Sequence, residues 1–163
     1  MNIRFDHHAV VYQFPGGVRL YAFCRTIEGC YNENGSILLG TKGRCYLTQC
    51  RIEGETNWSY TGPRMYAKNG DNPYQIEHNE FFKAIRSGNP INSGDYMVRS
   101  TLMGIMGQIS CYTGKEVTWD QAVSSDFLYA PKPEDVRAAM EPPVKPDSNG
   151  IYPVLTPGVT KLL

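Results

Sequence analysis

Between residues 7 and 60 apolar side chains recur with a period of two, and from residue 73 the period lengthens to that of a helix. Residues 7–14 and 18–27 are rich in β-branched and aromatic types, and Pro15-Gly16-Gly17 between them is a hairpin-type connection, which predicts two antiparallel strands. Residues 36–40 and 43–52 repeat the pattern around Thr41-Lys42, and residues 56–60 add a fifth strand before the Gly62-Pro63 break. On the first strand His8, Val10, Tyr12 and Phe14 share one face and Ala9 and Val11 the other. On the second, Leu20, Ala22 and Cys24 oppose Tyr21, Phe23 and Ile27. Neither face is cleanly polar, so the second face needs a cover: helices on both sides, or a partner on one.

In NPYQIEHNEFFKAIRSGNPIN, residues 72–92, Pro73 suits a first helical turn and His78, Phe81, Phe82 and Ile85 fall at helical spacing. Gly88 and Pro90 stop the helix. Ser93 or Asp95 caps a second helix whose stripe is Val98, Leu102, Ile105, Ile109 and Tyr112, ending at Gly114. Gly104 and Gly107 cost helix propensity there and predict a close contact on their side. Thr118-Trp119-Asp120-Gln121 is a capping box opening a short third helix. Seven prolines, at 131, 133, 142, 143, 146, 153 and 157, then break up a tail in which only residues 134–140 suit a turn. Ile151, Tyr152, Val154, Leu155, Val159, Leu162 and Leu163 are apolar enough that docking of this tail is expected. The expected fold class is therefore α+β: an open, mostly antiparallel β-sheet packed against a few helices, with an extended Pro-rich C-terminal tail. One domain, 1–163, is mainly sheet over 1–67, mainly helical over 73–125 and extended over 131–163.

Composition narrows the function. At 163 residues, 41% hydrophobic and 20% charged, the chain suits one self-sufficient core. Lys plus Arg equals Asp plus Glu at 16 each, and no basic cluster exceeds two residues, which argues against nucleic acid as a partner. No apolar run reaches the roughly 20 residues of a membrane span, and the start lacks a signal-peptide pattern, so a soluble chain without a membrane partner is expected, in cytoplasm or periplasm. Five cysteines, at 24, 30, 45, 50 and 111, form no C-x-x-C pair and read as mostly buried thiols. Asn34-Gly35-Ser36 and Asn57-Trp58-Ser59 match the glycosylation sequon, but Asn-Gly is first a turn signal.

The candidate chemistry is sparse. His7 and His8 are neighbours on a strand, face opposite sides and cannot chelate one metal together. Glu77-His78 with Glu80 lacks the second histidine of a zinc helix, and His78 reads as a packed histidine with one nitrogen bonded. Gly40-Thr41-Lys42-Gly43 leads into a strand and is a hairpin turn, not a phosphate cradle. No G-x-G-x-x-G and no G-x-S-x-G occurs. No catalytic, cofactor-binding or metal-binding residue is predicted in this chain, and a metal-dependent hydrolase lacks a ligand set.

The order of segments carries more. DHHAVVYQFPGGVRLYAFCR, then GTKG, the NPYQIEHNEFFKAIRSGNPIN stretch, STLMGIMGQISCYTGKEVTWDQAVSS and finally PGVTKLL together resemble the C-terminal half of bacterial Gfo/Idh/MocA oxidoreductases, the family of glucose-fructose oxidoreductase and inositol 2-dehydrogenase. The resemblance covers residues 6–163. It implies an open antiparallel sheet that packs on helices with one face and supports homo-oligomers with the other. It also implies an N-terminal Rossmann domain for NAD or NADP, absent from this chain, and an upstream Glu-Lys-Pro lysine and D-x-x-x-H helix, neither matched here. The expectation is a substrate-binding and oligomerisation domain of an NAD(P)-dependent oxidoreductase acting on a sugar or polyol, a fragment inactive alone and without cofactor. His7, His8, Arg25 and Tyr74, polar and at strand or helix ends, are its candidate substrate-binding residues. The alternatives are the C-terminal part of an NAD-dependent glycosidase of the same family and a stand-alone dimeric interaction module without enzymatic activity.

Overall fold

The structure is a computed structural model that describes residues 5–62, 72–128, 131–137, 140–142 and 144–163. Within them the chain runs β1 (His7–Gln13), β2 (Arg19–Arg25), β3 (Ile37–Gly40), β4 (Gly43–Tyr46), β5 (Arg51–Gly54), β6 (Trp58–Ser59), α1 (Pro73–Arg86), α2 (Gly94–Thr113) and α3 (Trp119–Ser124). It is an α+β protein, as its pattern predicts, with the strands shared between two small antiparallel sheets, β1-β2 and β3-β4-β5-β6. Two compact units result: Met1–Glu28 with Ser93–Leu163, and Gly29–Asn92. Among the described residues no helix is long and apolar enough to cross a membrane. The predicted break at Pro63, the end of the sheet region at residue 67 and part of the turn predicted over residues 134–140 lie outside the described residues.

In the first unit β1 and β2 form a hairpin through a 3-10 turn at Pro15–Gly17, with His8 opposite Cys24, Val10 opposite Ala22 and Tyr12 opposite Leu20. His8, Val10 and Tyr12 are half-buried while their strand neighbours are exposed, so the predicted alternation holds and this face lies on α2. The core sits at the C-terminal end of α2, where Ile109 and Tyr112 are each 3% exposed and Thr113 is buried with its hydroxyl donating to the Ile109 carbonyl. Val98, at the other end of the predicted stripe, is exposed. The helix ends as expected on Gly114, whose φ of 68° is one that side chains disfavour and whose N–H donates to Ser110. The tail docks there: the Gly158 N–H donates to the Thr113 carbonyl at 2.7 Å, although Ile151, Val154 and Val159 stay exposed. The capping box forms as predicted on α3, with Thr118 and Gln121 exchanging side-chain bonds to each other's N–H.

In the second unit the meander departs from the expected strands at one place. Residues 43–52 read as one strand but form β4 and β5, separated by a turn in which Cys50 takes a φ of 48°, rare for a residue with a side chain. Gly43 and Gly54 pair across β4 and β5 with φ of 152° and 153°. A Cβ on either would strike the opposite backbone, which is why this corner needs glycine. Asn72 caps α1 by accepting from the Tyr74 and Gln75 N–H groups, with Pro73 following it, and Gly88 lies just past the end with φ of 71°. The apolar stripe of this helix is unexpectedly open: Phe81, Phe82 and Ile85 are exposed. His78 is exposed too and not packed, its Nδ1 bonded to the Tyr74 carbonyl at 2.6 Å. The thiols also differ from expectation, since Cys24 and Cys30 are exposed, Cys45, Cys50 and Cys111 are half-buried, and all five are free. Short strands with a thin core leave them little cover.

Candidate functional site

Glycines shape a cavity between β1 and α2. A Cβ on Gly107 would overlap the Tyr12 hydroxyl, so the helix can approach β1 there only without one. Beside that contact, at Gly104, nothing fills the space, and a cavity of about 430 Å³ opens between the hairpin and α2. His8, Tyr12 and Cys24 contribute polar groups from the strands and Thr101 and Gln108 from the helix, over an apolar floor that includes Val10.

Each polar group has a determined setting. The Tyr12 hydroxyl donates to the Met103 carbonyl at 3.0 Å, and burial, then the neighbouring Cys111, raises its pKa above the ordinary 10.0. Gln108 donates to the Tyr112 hydroxyl at 3.3 Å. Tyr112 in turn meets Phe5 edge-on at 5.0 Å and the His8 ring at 5.8 Å, fixing the imidazole between the strand and the core. His8 Nδ1 and Cys24 Sγ are 3.6 Å apart, a weak hydrogen bond whose direction follows the histidine tautomer. The other ring nitrogen, Nε2, is shielded from solvent and bonded to nothing among the described residues. Cys111, on α2, directs its thiol at the Ala9 carbonyl at 3.9 Å, and burial chiefly raises its pKa.

In a cysteine–histidine nucleophile pair the histidine is commonly oriented by a third group, and among the described residues nothing bonds His8 Nε2. Nor, among them, do three His, Cys, Asp or Glu side chains converge into a metal-binding group. A second hollow of about 470 Å³ lies on the β3–β6 sheet over Leu38, Cys45 and Ile52. Lys42 on its rim pairs with Glu55 at 3.8 Å.

Of the four residues expected at a substrate, three belong to the first unit, where they fall on two faces of the hairpin. His8 lines the cavity. His7 and Arg25 pair across the strands on the opposite face of the hairpin, with His7 Nδ1 held by Asp6 at 2.6 Å. Tyr74 belongs to the second unit, exposed at the start of α1. Sequence reasoning missed Tyr12, Cys24, Thr101 and Gln108 as cavity residues. A signal was present: Tyr12 and Cys24 share the His8 face by alternation, and Thr101, Gly104 and Gln108 recur at helical spacing. Against known proteins, no family model, curated protein or solved structure matches this chain.

Proposed function

We propose that this chain is the substrate-binding and oligomerisation part of an NAD(P)-dependent oxidoreductase acting on a sugar or polyol. The supporting observation is the two-sidedness of the β1-β2 hairpin. Its inner face, with α2, encloses a cavity with polar groups over an apolar floor. Its outer face exposes Val11, Tyr21 and Phe23 at 57%, 55% and 74%. Polyhydroxylated ligands are held by directed hydrogen bonds with apolar contact beneath, which His8, Cys24 and Thr101 offer above Val10. An uncovered apolar face beside a binding site suits a protein that works with a second subunit.

In this reading the nicotinamide cofactor would be held by another part of the intact enzyme. Among the described residues no strand passes through a glycine-rich turn into a helix N-terminus, the arrangement that cradles a pyrophosphate. In this reading the cofactor supplies hydride chemistry elsewhere in the intact enzyme, while this chain orients the substrate. The outer face equally favours the second reading, a dimeric interaction module without enzymatic activity.

Titration of the chain with hexoses and cyclic and linear polyols, followed by NMR of the histidine rings and the Gln108 amide, separates the two. Saturable shifts at His8 and Gln108, lost in His8→Ala and accompanied by no turnover of added NAD or NADP, are expected. Absence of shifts with every polyol would overturn substrate binding and leave the interaction module.

A further inference from the structure

Among the described residues the β1-β2 sheet has no third strand, so neither of its edges is paired by another strand there, and the two edges differ in charge. Phe14 N donates to Val18 O, and Thr26 N donates to Asp6 O. Bonded and non-bonded pairs alternate along an antiparallel ladder, so His8, Val10 and Tyr12 bond across to β2. His7, Ala9, Val11 and Gln13 then turn their N–H and C=O groups outward. β1, HHAVVYQ, contains no Lys, Arg, Asp or Glu, whereas β2, RLYAFCR, begins and ends in arginine. Charge on an edge is a standing defence against strand pairing, and β1 lacks it.

We propose that two copies of this chain pair along the free edge of β1, antiparallel about a two-fold axis at Val10, to form one four-stranded sheet. This specifies the oligomerisation half of the function proposed above and rests on it. The register sets His7 against Gln13 and Ala9 against Val11, so all four outward residues of each strand are bonded, two bonds to a pair. Sliding the strands leaves at least one of them unpaired. The same operation along β2 would place Arg19 opposite Arg25 twice, and stacking the outer faces would bring the arginine-bearing ends of the two hairpins together. Because the axis is perpendicular to the sheet, both α2 helices stay on one face and the two outer faces merge into a single apolar surface. The Ala9 carbonyl, approached only weakly by the Cys111 thiol at 3.9 Å, keeps a lone pair for the partner strand. The β3 edge is a poorer candidate, since only Ile37 and Leu39 turn outward on it: the Ser36, Leu38 and Gly40 positions bond toward β4.

Sedimentation equilibrium of the full chain over a wide concentration range, with and without Val11→Pro, tests this. The Val11 N–H points outward, so proline there spares the hairpin ladder, which circular dichroism checks, but removes a bond from each side of the dimer. Dissociation should strengthen by roughly tenfold or more, while Tyr21→Pro on the other edge leaves it unchanged. Independently of any folding defect, a His7→Cys chain mixed with a Gln13→Cys chain should give the 7–13 disulfide on oxidation, located by peptide mass spectrometry, in preference to 7–7 or 13–13. A dimer split by Phe23→Glu but indifferent to Val11→Pro would overturn edge pairing and leave oligomerisation standing. A monomer at every concentration would overturn both.

Discussion

Two glycines three residues apart on α2 should respond to the same substitution with opposite sign. Alanine at either position gains up to about 1 kcal/mol of helix propensity. At Gly104 an added Cβ meets nothing within 4 Å, so Gly104→Ala should stabilise the first unit by most of that amount. At Gly107 the Cβ overlaps the Tyr12 hydroxyl and lies 3.5 Å from Val10 Cγ1. Overpacking of this kind costs about 1–3 kcal/mol. Displacing the hydroxyl also breaks its bond to Met103, a further loss of about 1 kcal/mol. Gly107→Ala should therefore destabilise by roughly 1–3 kcal/mol net. In a Tyr12→Phe background the overlapping oxygen is gone and the same substitution should become nearly neutral, a coupling of at least about 1 kcal/mol in the double-mutant cycle. Urea unfolding followed by Trp119 fluorescence, with Trp58→Phe silencing the only other tryptophan, reads the unit that holds α2. If Gly104→Ala and Gly107→Ala move the midpoint in the same direction, or Tyr12→Phe fails to relieve Gly107→Ala, α2 and β1 do not approach each other closely at Gly107.

Gly54→Ala places a Cβ against the Lys42 carbonyl and the Gly43 backbone, which cannot yield as a side chain would, so the second unit should lose about 2 kcal/mol or more by Trp58 fluorescence. Cys111 and Tyr12 have pKa values raised above the ordinary 9.0 and 10.0, so the folded state retains their protons longer than the unfolded chain. The contribution of these two groups to stability should be complete below pH 9 and be lost as pH rises through the folded values, with Cys111→Ala removing the start of that loss and Tyr12→Phe its later part in pH-dependent melting. Timed alkylation of the native chain should label Cys24 and Cys30 first and Cys111 last, because burial keeps the Cys111 thiol protonated and screened. Mass spectrometry of the peptides checks the order. Asn72→Ala removes the acceptor for two N–H groups of α1 and should lower its helical content with a cost of about 1 kcal/mol, measured by amide exchange in the first turn.

Much of the local structure was legible because its causes are local. Pro15-Gly16-Gly17 bends the chain wherever it sits, Thr118 and Gln121 cap each other across three residues, and Asn72-Pro73 and Gly114 bracket helices by their own backbone preferences. The alternation along β1 likewise put His8, Val10 and Tyr12 on one face, and the structure sets that face against α2. The turn that splits residues 43–52 was not legible, since it depends on a strained Cys50 and on Gly43 and Gly54 meeting across strands, neither of which has a local signal. The burial of the thiols and of His78 was also misjudged, because periodicity says which side chains share a face and nothing about whether another element covers it.

The candidate site divides in the same way. The sequence by itself determined the strand, the helix and the small residues that let them approach, and it picked His8 as a polar residue of interest. Only the tertiary structure decided that Cys24, Tyr12, Thr101 and Gln108 stand around His8 while His7 and Arg25 lie on the opposite face of the hairpin. The physical reason is distance along the chain: Tyr12 meets the Met103 carbonyl 91 residues away. Such a contact is fixed by how two finished elements pack, a choice made by volume and hydrogen bonding at the interface that no local pattern encodes.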